Sequence, residues 1–310
     1  MQPTRRMSLV PRLWLSFLLL AWSACGTARS PLVFLTDFGT QDGAVSAMKG
    51  VAYSVSQDLL ISDLSHENPN IFTGAYRLYQ AEQFWPADTV FVAVVDPGVG
   101  TPRLSVVLKT RTGHYFVGPD NGLLSLVAER DGIAGLRRID ESVNRRPGSD
   151  ESHTFHGRDV FAYTGAKLAA GAITFEQVGP SLPPSSLISI PYRKAERAAD
   201  SVRGIIPVLD VQFGNVWTNI PKALFDELHI GLGEPVRVRI LHGDQLVADD
   251  VAPYRRTFGE VDLGKPLVYV NSLLNLAVAL NQSSYAAMHK IESGPDWFIE
   301  LRRAAVARPR

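Results

Sequence analysis

Val90-Phe91-Val92-Ala93-Val94-Val95, followed at once by Asp96-Pro97-Gly98-Val99-Gly100-Thr101-Pro102-Arg103, is the stretch that decides the fold. Its first six residues are apolar, mostly β-branched or aromatic, with no polar alternation. That pattern predicts a strand buried on both faces, as in a parallel sheet covered by helices. The turn that follows places an acid at the strand's carboxyl end, the edge where open α/β sheets bind ligands. Arg103, after the turn, is placed to fold back toward Asp96. On local grounds the pair reads either as a functional set or as a structural salt bridge across a tight loop.

The same design recurs upstream. Leu32-Val33-Phe34-Leu35 reads as a buried strand and runs into Thr36-Asp37-Phe38-Gly39-Thr40-Gln41-Asp42. Asp42 to Val55 has helical periodicity, with Val45, Met48, Val51 and Ala52 on one face. Leu59 to Asp63 reads as a second strand and Asn70 to Phe84 as a second helix, stopped by Pro86. Leu104–Lys109 and His114–Val117 read as paired strands, and Leu123–Glu129 and Gly157–Ala170 as helices. Gly118-Pro119-Asp120-Asn121-Gly122 reads as a turn. The fold class expected is α/β, an N-terminal α/β domain with a largely parallel sheet over 31–190. Pro180-Ser181-Leu182-Pro183-Pro184-Ser185-Ser186 reads as a linker. Beyond it, Val236-Arg237-Val238-Arg239-Ile240 alternates with period two, predicting a smaller, mainly β domain over 191–310.

Residues 1–30 read as an export signal: Arg5 and Arg6, then an apolar stretch from Leu13 to Ala24, then small residues. Thr4-Arg5-Arg6 weakly resembles a twin-arginine signal. Cys25, the only cysteine, sits as in a bacterial lipoprotein site and is a possible lipid anchor; plain cleavage after Ala28 is the alternative. Either way an exported protein of the periplasm or cell envelope is expected. The 31 basic and 31 acidic residues cancel, so no net field draws the chain to nucleic acid. The basic end, Arg302-Arg303 to Arg308-Arg310, reads as a solvated terminus. With no HExxH and no cysteine ligand set, no metal is expected.

Chemistry concentrates at a few points. Asp37 can accept from a ribose diol, or can simply cap a turn. His156, in Thr154-Phe155-His156-Gly157-Arg158-Asp159, suits a general base or a polar orienter, while Asp159 suits a helix cap. In Phe213-Gly214-Asn215-Val216-Trp217-Thr218, Asn215 offers the paired donor and acceptor that match an adenine edge. Phe213 and Trp217 offer stacking faces, though core aromatics with a turn asparagine is the simpler local reading. Asp210 is another acid at a strand end.

Taken in order, the segments 35–42, 48–50, 96–101, 118–122, 155–159 and 213–218 resemble the S-adenosyl-L-methionine hydroxide adenosyltransferases, relatives of the fluorinase and chlorinase enzymes. The resemblance spans roughly residues 32 to 290. It implies hydrolysis of S-adenosyl-L-methionine to adenosine and L-methionine, with no cofactor, in a homotrimer whose sites lie between subunits. It implies a catalytic set of Asp96, Arg103 and His156, with the base left open between Asp96 and His156. The halogenating relatives differ at the first and third of these positions, which disfavours a halide route. It further implies that Asp37 holds the ribose, Asp42 and Asp210 lie near the methionine ammonium, Asn215 meets adenine, and Phe155 and Phe213 wall the site. It also implies a substrate contact for Ser272, beside Leu273-Leu274, where the sequence departs from the family pattern. The alternatives are a non-catalytic adenosine or S-adenosyl-L-methionine binding protein of the envelope, and an interaction module that kept an enzyme fold.

Overall fold

The computed structural model describes residues 30–304; the stretch read as an export signal, with Cys25, and the last arginines, Arg308 and Arg310, lie outside the described residues. The first half is built on a seven-stranded sheet. In chain order its elements are β1 (Leu32–Thr36), α1 (Ala44–Val55), β2 (Ile61–Ser65), α2 (Ile71–Ala81), β3 (Val90–Val94), β4 (Ser105–Thr110), β5 (Tyr115–Pro119), α3 (Ser125–Asp131), β6 (Ile133–Arg138), α4 (Glu141–Asn144), α5 (Tyr163–Ala169) and β7 (Ser181–Leu182). The strand order is β2-β1-β3-β5-β4-β6-β7. Strands β2, β1, β3 and β5 are mutually parallel, and β4, β6 and β7 pair antiparallel.

Strand β3 is central and wholly buried, as its composition requires. Successive side chains of a strand point to opposite faces. Val90, Val92 and Val94 therefore pack with Met48 and Ala52 of α1 and Ala166 of α5. Phe91, Ala93 and Val95 pack on the other face with Ala75 and Leu78 of α2 and Val127 of α3. Each such fully buried aliphatic contributes roughly 1.5–3 kcal/mol. Helix α5 sits very close: a Cβ on Gly165 would lie 2.3 Å from Val92 Cγ2. The side chain of Asn70 caps α2 by accepting from Thr73 N at 2.9 Å.

Some sequence expectations need correction. The second strand begins at Ile61 rather than Leu59. Gly118 and Pro119 belong to β5, so the turn starts at Asp120. The segment 157–170 opens as a π-helical turn, Gly157–Ala162, before α5. Ser181 and Leu182 are an edge strand paired with Arg137 and Leu136 rather than free linker, because β6 leaves an open edge there; Pro183 and Pro184 end the pairing.

The second half is antiparallel β. Its strands are β8 (Glu196–Ala198), β9 (Ser201–Ile206), β10 (Val208–Asp210), β11 (Asn215–Pro221), β12 (Pro235–His242), β13 (Gln245–Pro253), β14 (Pro266–Val270), β15 (Asn275–Leu280) and β16 (Gly294–Arg303). They form a four-stranded sheet, β10-β11-β15-β14, and a five-stranded sheet, β13-β12-β16-β9-β8. Val236, Val238 and Ile240 point into their shared core while Arg237 and Arg239 point away, the period-two pattern expected. The halves meet where Arg77 of α2 donates to the carbonyl of Leu209 at 3.1 Å. Among the described residues no helix is long and apolar enough to cross a membrane.

Candidate active site

Strands β1 and β3 are neighbours in register, so their carboxyl ends deliver Asp37 and Asp96 side by side. Asp37 N donates to the Val94 carbonyl at 3.2 Å, and Asp37 Oδ2 accepts from Asp96 N at 3.2 Å. Asp37 is solvent-exposed as a residue, yet its carboxyl leans onto the sheet edge. Desolvation there raises its pKa, opposed by the Asp96 amide.

After Asp96 the chain reverses through two tight turns, Val99 N donating to Asp96 O and Thr101 N to Gly98 O. Gly100 takes φ +82°, a left-handed backbone that suits glycine. The reversal returns Arg103 to Asp96. Arg103 Nε donates to Oδ2 at 3.0 Å and Oδ1 at 3.2 Å, and Nη2 donates to Oδ2 at 2.6 Å. The two side chains are only 8% and 5% exposed, so this pair is shielded from solvent screening. Arg103 also lies over the Phe161 ring, 5.3 Å from its centroid.

His156 enters from the turn before the π-helical segment. Its Nδ1 lies 3.0 Å from Arg103 Nη2. Burial, then the positive charge of Arg103, lowers its pKa. Phe155 meets Phe38 edge-on at 5.5 Å, and Arg158 lies over the Phe155 ring, 4.9 Å from its centroid. Asp159 is fully buried and paired with Arg158 and Arg146, a structural role. Asn121, read only as a turn residue, donates to Val95 O at 2.9 Å and braces the end of β3.

The remaining expected residues stand elsewhere. Asp42 is exposed and accepts from Ala44 N at 2.9 Å, which fixes the start of α1. Asp210 and Asn215 face each other across the β10–β11 hairpin, Asn215 Nδ2 donating to Asp210 Oδ2 at 3.1 Å. Phe213 at its tip is exposed, while Trp217 packs into the core with Leu267 and Ala277. Ser272 is exposed in the β14–β15 turn, where Leu274 adopts φ +60°. Among the described residues no hydrogen bond or ion pair joins the Asp210–Asn215 group to the Asp96 set.

Sequence reading missed Ser105, Glu141 and Arg145, which surround His156 and Arg103. The i,i+4 spacing of Glu141 and Arg145 was the available signal. It also missed Glu82, His114 and Asp131 at the opposite, amino edge of the sheet, whose ligand atoms lie within 4.8 Å of one another. Arg130 pairs with both acids and His114 with Glu82, so this cluster reads as an internal ion network.

A buried carboxylate, guanidinium and imidazole at the carboxyl edge of a parallel sheet are the groups a small-molecule site of an α/β protein requires. The family model for the N-terminal domain of SAM hydroxide adenosyltransferases matches residues 32–179, and that for the C-terminal domain matches 204–298. An (R)-S-adenosyl-L-methionine hydrolase from Salinispora tropica is 37% identical, over 84% of this chain and 94% of that one. A fluorinase from Actinopolyspora mzabensis is 29% identical, over 86% and 96%. The crystal structure of an uncharacterized conserved protein from Thermotoga maritima superposes with a TM-score of 0.80 at 36% identity, over 88% of this chain and all of that one. The chain belongs to the SAM hydroxide adenosyltransferase family.

Proposed function

We propose that this chain hydrolyses S-adenosyl-L-methionine to adenosine and L-methionine by in-line attack of water on the ribose 5′-carbon. The observation that carries the reading is the convergence of Asp96, Arg103 and His156 at one buried point of the sheet edge. A protein that only binds adenosine has no need of such a set. The chemistry asks little else. The sulfonium is neutralised as it departs, so no acid must protonate the thioether. The protein's task is to orient water in line with the 5′-carbon and exclude bulk solvent. Arg103 fixes the Asp96 carboxylate, and Asp96 or His156 accepts the water's proton. No cofactor takes part; S-adenosyl-L-methionine is the substrate.

In this reading Asp37 holds the ribose hydroxyls and Phe155 walls the sugar. Asp42 and Asp210 serve the methionine ammonium, Asn215 and Phe213 the adenine, and Ser272 a rim contact. That no hydrogen bond or ion pair links the Asp210–Asn215 group to the Asp96 set among the described residues supports a homotrimer whose sites are completed by a neighbouring subunit. Val211 and Phe213, exposed in the turn between Asp210 and Asn215, suit such a contact. We read residues 1–30 as an export signal that delivers the two domains, 31–190 and 191–310, to the periplasm or envelope, with or without a lipid on Cys25.

Incubation with S-adenosyl-L-methionine in ¹⁸O-labelled water containing EDTA tests the reading. Adenosine labelled at its 5′-oxygen, together with methionine, is the expected result. Intact substrate recovered with bound adenosine would replace the hydrolase by a binding protein. A dilution series should show specific activity falling as the assembly dissociates.

A further inference from the structure

The site contains a second guanidinium that the reading above leaves without a role. Arg145 directly follows α4, and its side chain is only 10% exposed. Its Nη2 donates to Glu141 Oε2 at 2.9 Å and lies 3.4 Å from His156 Nε2. Its Nη1 donates to the carbonyls of Ser149 and Ser152. The other Glu141 oxygen accepts from Ser105 Oγ at 3.1 Å, and Ser105 Oγ accepts from Arg103 Nη1 at 3.2 Å. Arg103 Nη2 closes the loop on His156 Nδ1. The side chains of Arg103, Ser105, Glu141, Arg145 and His156 thus form a ring.

A guanidinium only donates. A neutral imidazole has one acceptor nitrogen and an imidazolium has none. His156 meets a donor-only cation at each ring nitrogen. Its neutral form satisfies the closer one, Arg103, through Nδ1. Its protonated form would satisfy neither and would add a third positive charge. The charged and titratable groups around it are Asp96 and Arg103 from the ends of the β3–β4 turn, Glu141 and Arg145 from α4 and the residue after it, and His153 from its own loop, ring to ring at 6.3 Å.

We propose that Arg145, anchored by Glu141, is a positioning residue that keeps His156 unprotonated with Nδ1 as acceptor, leaving Asp96 to take the proton of the attacking water. The second half rests on the hydrolase reading; the first does not. In that reaction the water oxygen bonds to the 5′-carbon, and the carbon–sulfur electron pair leaves with sulfur. The proton passes to the Asp96 carboxylate and then to solvent.

The test is NMR titration of the full chain carrying ¹⁵N-labelled histidine, without substrate, with the His156 signal assigned by its loss in His156→Gln. Wild-type His156 should titrate below free histidine. Arg145→Met should move the titration upward, because a neighbouring cation is removed. Glu141→Gln, which removes the opposing negative charge at nearly constant shape, should move it downward. No movement in Arg145→Met, or movement of both variants in one direction, would overturn the proposal. Should Arg145→Met fail to fold for want of its loop contacts, Glu141→Gln decides alone, and an unmoved or rising titration sinks the idea. The acid limb of kcat/KM should follow the same two directions. If His156 titrates as stated while labelled adenosine never forms, the hydrolase reading fails and the positioning role stands.

Discussion

Replacing Asp96 with asparagine separates catalysis from stability at the centre of this site. Arg103 would keep one acceptor oxygen but face an amide instead of the carboxylate it now contacts three times. Both partners are buried, so the guanidinium would be left with uncompensated charge. Breaking a buried pair in this way costs about 3–5 kcal/mol, and the isosteric amide belongs at the lower end. At about 2–4 °C per kcal/mol for a chain of this size, the melting temperature should fall by roughly 6–12 °C. If Asp96 also takes the water's proton, kcat should drop by about 10²- to 10⁴-fold, some 3–5 kcal/mol in barrier. Urea unfolding and initial rates of methionine release, measured below the lowered melting point, read the two effects separately. Arg103→Met and the double variant complete a cycle, in which the double should cost less than the sum by about 1–3 kcal/mol. Additive losses would refute the pairing, and a kcat within tenfold of wild type would reduce Asp96 to a structural residue.

Three further outcomes follow from particular residues. The pKa of His156 is lowered on folding, so the unfolded chain binds its proton more readily. Full stability is therefore present above the unfolded value, about 6.5, and is lost as pH falls through the folded one; His156→Gln should flatten that part of the urea-midpoint profile. Leu274 is exposed and left-handed at φ +60°, so Leu274→Gly should stabilise by about 0.5–1 kcal/mol, and a loss would show that the side chain makes a contact in the assembly. Gly165→Ala would drive a methyl into Val92 and should destabilise by about 1–3 kcal/mol, read as an earlier unfolding midpoint.

The fold was legible where one physical rule dominated. Val90 to Val94 could only be a strand covered on both sides, and the faces of α1 and α2 had to cover it. The alternation from Val236 to Ile240 left equally little choice. Reading failed at Ser181 and Leu182, because local proline content signals irregularity while an open sheet edge far back in the chain, at Leu136 and Arg137, recruits the backbone. Asp96 and Arg103 were legible because a short glycine turn leaves the chain one way back. Ser105, Glu141 and Arg145 were not, since only the pairing of β4 with β6 sets the chain after β6 beside Arg103.

The sequence by itself determined the residue types at the strand ends and the class of chemistry they permit, because strand period, turn geometry and acid–base character are local properties. Tertiary structure decided which of those residues meet. Asp37 reaches Asp96 through parallel register, and His156 reaches Arg103 across 53 residues of chain. It also decided that Asp210 and Asn215 bond to each other and, among the described residues, share no hydrogen bond or ion pair with that set, which no local pattern encodes.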